Sequence, residues 1–230
     1  MKNIVYIIKK ILLSDNIIVN FINNNETKKE NVLTYKRFTS KHPKYKFIPF
    51  KKYGACFIEL DKYDSFDHYL KKINGKNSAA YYRRKSIKND FTFSEIDMND
   101  FIDDIYTINT SSQNRQNRKM DSKYLKKKSH YKNSKLFKCY GIIKDKQLVA
   151  YAEIGFHGEF ISFNKLLGHK NFQNFGIMYH LIINVIEEAV KGNLAIKWVY
   201  YDMYFGASKG LKEFKKKFLF QTYNVTWKIQ

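Results

Sequence analysis

The chain has 230 residues, 44% of them hydrophobic and 17% aromatic, with only 2 prolines and 10 glycines. That excludes a globally disordered or collagen-like chain and allows one large domain, or a domain with an arm. A formal charge of +21 directs attention to nucleic acid, an anionic membrane surface or an acidic substrate.

Of the 42 lysines and arginines, only Arg37, Arg83, Arg84, Arg115 and Arg118 are arginine. Lysine shares A- and T-rich codons with the abundant Asn, Ile, Tyr and Phe, so base composition accounts for part of the charge. Base reading and bidentate phosphate clamping favour arginine instead. Cys56 and Cys139 are the only cysteines. They form no zinc spacing and no disulfide framework, so a reducing, cytoplasmic compartment and no structural metal are expected.

Residues 1–22, MKNIVYIIKKILLSDNIIVNFI, are apolar runs broken by Lys9, Lys10 and Asp15. No run is long enough to span a bilayer, and no small-residue cleavage site follows. The segment is expected to be a strand or short helix packed on the body, with a membrane-surface helix as the alternative. Residues 1–50 are read as an N-terminal arm and candidate dimer contact, and 51–230 as the body. NNNETKKEN (23–31) is a polar break, expected to be a loop.

YGACFIELDKY (53–63) reads as a buried strand. SFDHYLKKINGK follows as a helix with Ser65 as N-cap and Gly75 as stop. Residues 78–90 are a second helix, with Arg83, Arg84, Lys85 and Lys88 as a basic face. FTFSEID (91–97) alternates as a strand does, and Asp97 or Asn99 can cap a helix after it. Residues 111–134 have no apolar period. A polar, basic stretch of that length is either a solvated loop or a functional one.

The remaining hundred residues are more regular. Residues 135–168 hold three strands, with a hairpin turn at the Lys144–Asp145 pair and HGE (157–159) before the third. HKNFQNFGIMYHLIINVIEEAV (169–190) becomes an apolar helix of about four turns. IKWVYYDMYF (196–205) is a buried strand, SKGLKEFKKKF (208–218) a short basic helix, and TYNVTWKI a closing strand. The order β–β–β–α–β–α–β predicts an α/β (α+β) domain with a mixed sheet. The apolar helix starts with polar residues and Gly176, with no acid in its first turn. Free N–H groups and a positive dipole end suit a phosphate there. The alternative is an ordinary loop entering a core helix.

That order, with a polar-glycine loop before the central helix, resembles the GNAT (Gcn5-related N-acetyltransferase) superfamily. In that family a splayed sheet holds acyl-CoA, and the loop wraps the pyrophosphate with backbone amides in the pattern Q/R-x-x-G-x-G/A. The matching stretch is Gln173-Asn174-Phe175-Gly176-Ile177-Met178. It keeps Gln173 and Gly176 and has Met178 where a small residue usually stands. The resemblance implies acyl-CoA, acetyl-CoA in the first instance, held by Asn171, Gln173, Asn174, Phe175, Gly176 and Ile177.

KGLKEFKKKFLF (209–220) is similar to the FK..FG signature of FemAB-like proteins, with Leu219 in place of the glycine. Residues 57–90 resemble their strand-then-basic-helix entry. Those are GNAT-fold enzymes that add amino acids to peptidoglycan precursors or perform related acyl transfers. They commonly contain two GNAT-like halves, and this chain has room for one. Together the resemblance covers residues 53–230 and implies a mixed, mostly antiparallel sheet flanked by helices.

N-acylation needs an amine deprotonated, a carbonyl polarised and a leaving group protonated. Glu153, on a strand that often carries the base in GNAT enzymes, is the candidate base; partial burial would raise its pKa. Tyr204, with Tyr201 nearby, is the candidate proton donor. Asp202 lies within an apolar strand, where a carboxylate needs a partner or a purpose. Arg115 and Arg118 in the polar stretch, with Arg83, suit a carboxylate or phosphate on the substrate. His157, His169 and Cys139 have no spacing that supports a dyad.

The first reading is transfer from acyl-CoA to an amine of a small or sugar- or nucleotide-linked metabolite, by direct attack in a ternary complex. The second keeps the fold and takes an aminoacyl group from charged tRNA. A third is a non-enzymatic, basic nucleic-acid-binding protein.

Overall fold

In the computed structural model, residues 9–43, 46, 48–115, 118–192 and 195–230 are described, Arg118 by its backbone alone. The elements, in chain order, are β1 (Asn16–Phe21), α1 (Lys28–Thr39), β2 (Tyr53–Glu59), α2 (Phe66–Lys72), α3 (Ala79–Lys88), β3 (Thr92–Glu95), α4 (Ile102–Thr110), β4 (Asn114–Arg115), β5 (Arg118–Lys119), β6 (Phe137–Lys144), β7 (Gln147–Phe156), β8 (Phe160–Gly168), α5 (Ile177–Lys191), β9 (Trp198–Met203), α6 (Lys209–Lys216) and β10 (Gln221–Ile229). The architecture is mixed α/β, with mostly antiparallel strand pairing and flanking helices, as expected. The chain forms two units. One is Met1–Lys62, Phe156–Ser162 and Leu194–Gln230; the other is Tyr63–Gly155 and Phe163–Asn193.

The first unit has strand order β1-β10-β2-β9. β1 runs parallel to β10, from Asn16 opposite Asn224 to Phe21 opposite Ile229. β10–β2 and β2–β9 are antiparallel. β9 pairs in parallel with the first residues of β8, from Phe160 opposite Trp198 to Ser162 opposite Tyr200. Alternation explains β1: Val19 and Phe21 are buried in the core, while Ile18 is exposed and Asn20 between them is half-buried. The core is aromatic. Phe21 meets Phe160 at 4.9 Å and Phe38 at 5.7 Å, and Trp227 lies 5.0 Å from Phe38. Edge-to-face packing of this kind adds to the area that each ring buries.

One expectation changes here. The polar break 23–31 is a loop only at its start, because α1 begins at Lys28. Asn24 Oδ1 accepts from the backbone of Glu26 and Thr27, turning the chain into the helix. The inward face of α1 is Asn31, Thr34 and Phe38, and two polar residues there hide it from apolar periodicity. Asn31 is satisfied: it donates to the Ile22 carbonyl at 3.0 Å and bonds His157 Nδ1 at 2.7 Å. The described part of residues 1–50 is therefore built into this unit, with β1 hydrogen-bonded to β10.

The second unit has strand order β8-β7-β6-β3. β6 and β7 form the expected hairpin; Asp145 at φ 50° and Lys146 at φ 67° make a two-residue turn whose hand matches strand twist. α4 covers the cluster of Met98, Ile105, Ile108, Leu148, Tyr151 and Leu167. α3 packs on α5, where buried His180 bonds Ser86 at 3.1 Å. Serine hydroxyls cap three helices, the first as the sequence indicates: Ser65 accepts from His68 N and Ser78 from Tyr81 N, while in the first unit Ser208 accepts from Leu211 N. β4 and β5 form a small hairpin inside the polar stretch 111–134, where no regular element was expected.

Candidate functional site

The start of α5 is the first place to look for a bound phosphate. Residues 170–175 form a tight 3₁₀ turn rather than a wide loop. Gly176 takes the left-handed conformation, φ 82°, at the N-cap, with no side-chain cap bond. Its carbonyl accepts from Tyr179 N and His180 N at 3.0 Å each. Asn171, Gln173 and Asn174 are exposed, Phe175 is half-buried, and Gly176 and Ile177 are buried. A Cβ at Gly176 would clash with the Tyr82 carbonyl oxygen, and the Tyr82 ring stacks on Tyr179 at 4.6 Å. Packing against α3 thus gives the glycine a reason independent of any ligand. Lys85 Nζ donates to the Asn174 carbonyl at 2.8 Å, placing one cation beside the turn.

Glu153 lies on β7, opposite Cys139 of β6. Its Oε1 accepts from Asn164 Nδ2, and its Oε2 pairs with Lys165 Nζ. Both partners come from β8, so neither was visible from the sequence around Glu153. Burial, reinforced by the Glu153 charge, pushes the Cys139 thiol up to about 12, which keeps it a thiol and no nucleophile at neutral pH. Burial and the same carboxylate also raise the Tyr131 hydroxyl.

Two of the candidate arginines, Arg115 and Arg83, are engaged. Arg115 donates to the Leu166 carbonyl of β8, which ties the small β4–β5 hairpin down. Arg83 spans α3 and α5, with Nε on Asn184 Oδ1 and Nη2 on Glu187 Oε2, both at 2.8 Å. The Arg118 side chain lies outside the described residues.

In the first unit, Tyr201, Asp202 and Tyr204 gather where β9 ends. Tyr201 is buried, Asp202 is exposed and Tyr204 is half-buried. Asp202 takes φ 50° and pairs with Lys51. Desolvation works to raise its pKa, but the Lys51 charge and hydrogen bond outweigh it, so the carboxyl sits below its usual range. Tyr204 N donates to the Gly54 carbonyl at 2.8 Å, and Lys212 Nζ lies 4.8 Å from the Tyr204 ring centre.

One residue here was not singled out from the sequence. Lys215 is 1% exposed; its Nζ donates to the carbonyls of Tyr201 at 2.6 Å and Met203 at 3.0 Å. It also bonds Cys56, and burial lowers its pKa. The signal was present: Leu211, Phe214, Lys215 and Phe218 share the inward face of the helical spacing. A lysine among Lys212, Lys216 and Lys217 reads as solvated unless that spacing is followed through.

No protein-family profile matches the chain, and no curated protein matches it. Solved structures do. FemX aligns with a TM-score of 0.56 and 9% identity, over 74% of this chain and 59% of FemX. The C-terminal domain of a protein assigned as a lysylphosphatidylglycerol synthetase, from Agrobacterium fabrum, aligns with a TM-score of 0.50 and 11% identity, over 74% of this chain and 58% of that one. The fold is GNAT-like, in its FemAB-like form.

The likeness at these identities is one of fold, and the chain spans under three fifths of the length of either structure. Within the FemAB-like fold, the signature stretch 209–220 forms α6 and the turn after it. Leu219, where the signature has glycine, sits at φ 65°. That left-handed conformation is the one glycine adopts freely, so the substitution keeps the turn at the cost of strain. Among the described residues, no helix is long and apolar enough to cross a membrane, and no three metal-ligating side chains converge.

Proposed function

We propose that the chain is a transferase that moves an aminoacyl group from a charged RNA to an amine. The observation that carries this reading is the FemAB-like fold, with FemX as a structural neighbour at a TM-score of 0.56. The FemAB-like resemblance implies charged tRNA as donor, and the formal charge of +21 suits a polyanion. Gly176, packed on Tyr82 beneath a closed turn, favours this donor over acyl-CoA, whose diphosphate needs a backbone cradle. Such a donor places the reaction in the cytoplasm, where tRNA is charged.

The chemistry asks little of the protein. The acceptor nitrogen attacks the aminoacyl ester carbonyl, loses a proton, and the ribose oxygen leaves with a proton. Asp202, held below the usual carboxylate range, is ionised at neutral pH and suits the binding of an ammonium. Tyr204 is the proton donor to the leaving oxygen. Alternatively the base belongs to the second unit, where Glu153 serves once Asn164 Nδ2 or Lys165 Nζ frees one of its carboxylate lone pairs. No covalent enzyme intermediate is needed.

The test is donor competition. Charged tRNA and acetyl-CoA are each offered with a pool of amine acceptors, with and without ribonuclease. Transfer from tRNA alone, abolished by ribonuclease, supports the reading. Transfer from acetyl-CoA that survives ribonuclease supports the acyl-CoA reading instead, for which the uncapped start of α5 beside Lys85 is the favouring observation.

A further inference from the structure

From Lys119 to Lys135 the chain carries seven lysines and His130 against one acid, Asp121. A charge run like this is ordinarily a loose, solvated loop. Here the backbone is fixed. Met120, Tyr124 and Tyr131 pack against the second unit's core beneath α4. Asn99 clasps Tyr131 from both sides, its Oδ1 accepting from Tyr131 N at 2.8 Å and its Nδ2 donating to the Tyr131 carbonyl at 3.1 Å. Met120 N donates to the Gln113 carbonyl at 2.9 Å. Lys123 and Lys128 lie over the Tyr124 and Tyr131 rings, at 5.2 Å and 4.9 Å from their centres.

The result is a held strip whose anchors point inward and whose cations point outward. Lys127 is taken by Asp103, and Lys123 by Asp121. Lys119, Lys126, Lys132 and Lys135 are exposed and have no carboxylate partner among the described residues. Seventeen ordered residues with an outward positive edge complement a polyphosphate backbone without the entropic cost of ordering a tail.

We propose that residues 119–135 form the surface on which the RNA partner's phosphate backbone docks. The proposal rests on the charged-RNA reading of the function and locates its partner. RNA is favoured over an anionic bilayer because a surface segment that holds lipid adds outward apolar side chains to its cations, and in this segment only Leu125 is a large apolar residue exposed to solvent. Lysine in place of arginine fits point contacts to phosphate with no base reading, so binding is independent of sequence.

The test uses the full chain and an uncharged tRNA transcript, with affinity measured across a salt series. One variant carries Lys119→Gln, Lys126→Gln, Lys132→Gln and Lys135→Gln. A control carries Lys9→Gln, Lys10→Gln, Lys28→Gln and Lys29→Gln, which removes equal charge from the other unit. Loss of four phosphate contacts should weaken the first variant about a hundredfold near ~0.15 M salt and flatten its log–log salt slope by about three; the control should stay near wild type. Equal loss in both variants, no loss in the first, or no RNA binding by wild type overturns the proposal. So does a first variant that loses phosphatidylglycerol vesicles and keeps RNA. Should the quadruple variant fail to fold, Lys126→Gln and Lys132→Gln are read singly; each should flatten the slope by about one, and no change in either overturns the proposal. Because the probe carries no amino acid, a chain that binds it here and never transfers refutes the function and leaves the surface standing.

Discussion

Gly176 at the start of α5 and the Tyr82 carbonyl of α3 meet at a point where no side chain fits. The contact couples the only helix that opens without a side-chain cap in the second unit's α3–α5 pair to the helix beside it. Gly176→Ala should lower stability by about 2 kcal/mol or more, from the left-handed φ together with the clash. Chemical denaturation reads this directly. If the variant keeps its midpoint and loses only donor affinity, the glycine serves a ligand and not the helix pair.

Glu153 gives a sharper test of role. Glu153→Gln keeps the shape and the Asn164 contact and removes the charge beside Lys165. A base predicts a fall in kcat of about 10² to 10⁴ with little change in unfolding midpoint. A purely structural pair predicts the reverse, and restored stability on adding Lys165→Met.

His157 is wholly buried between Asn31 and Ser162, and burial lowers its pKa to about 3. Buried His180 behaves alike, lowered to about 4. Both stay neutral in the folded chain, whereas the unfolded chain takes up their protons near pH 6.5. Stability is therefore complete above that pH and falls as pH drops toward 4, by about 1.4 kcal/mol per unit for each histidine. Denaturant titrations between pH 7 and 5 should show this slope. A flat profile would mean that one or both rings gain a partner for the charged form.

At the end of β9, Lys215→Met removes the donor to two strand-end carbonyls. Stranded buried acceptors should cost about 2 to 4 kcal/mol. Nearby, Leu219→Gly should be close to neutral, since relief of the left-handed strain offsets the lost side chain. Phe218→Ala, at a fully buried ring, should cost about 3 to 5 kcal/mol. Unfolding curves of the three variants rank them, and a Leu219→Gly loss as large as that of Phe218→Ala would contradict the strain argument.

Much of the fold was readable because it rests on local signals. The β6–β7 hairpin follows from alternation and a two-residue turn, and Ser65 announces its helix. α1 was hidden because its buried face includes Asn31 and Thr34, whose burial depends on hydrogen bonds to distant residues. β4 and β5, at two residues each, are too short for any period. The candidate site was legible in its residue types and illegible in its partners. Nothing near Glu153 in sequence points to Lys165, which comes from the neighbouring strand, and nothing near Asp202 points to Lys51, which comes from the turn before β2.

The central claim is that the donor is a charged RNA. Its most direct test is a single-turnover experiment with labelled aminoacyl-tRNA as the only acyl donor and a mixed pool of amines. The claim predicts label moving to an amine at a rate that ribonuclease abolishes and added CoA leaves unchanged. Label that stays on the tRNA, while acetyl-CoA supplies an acyl group to the same pool, would contradict it.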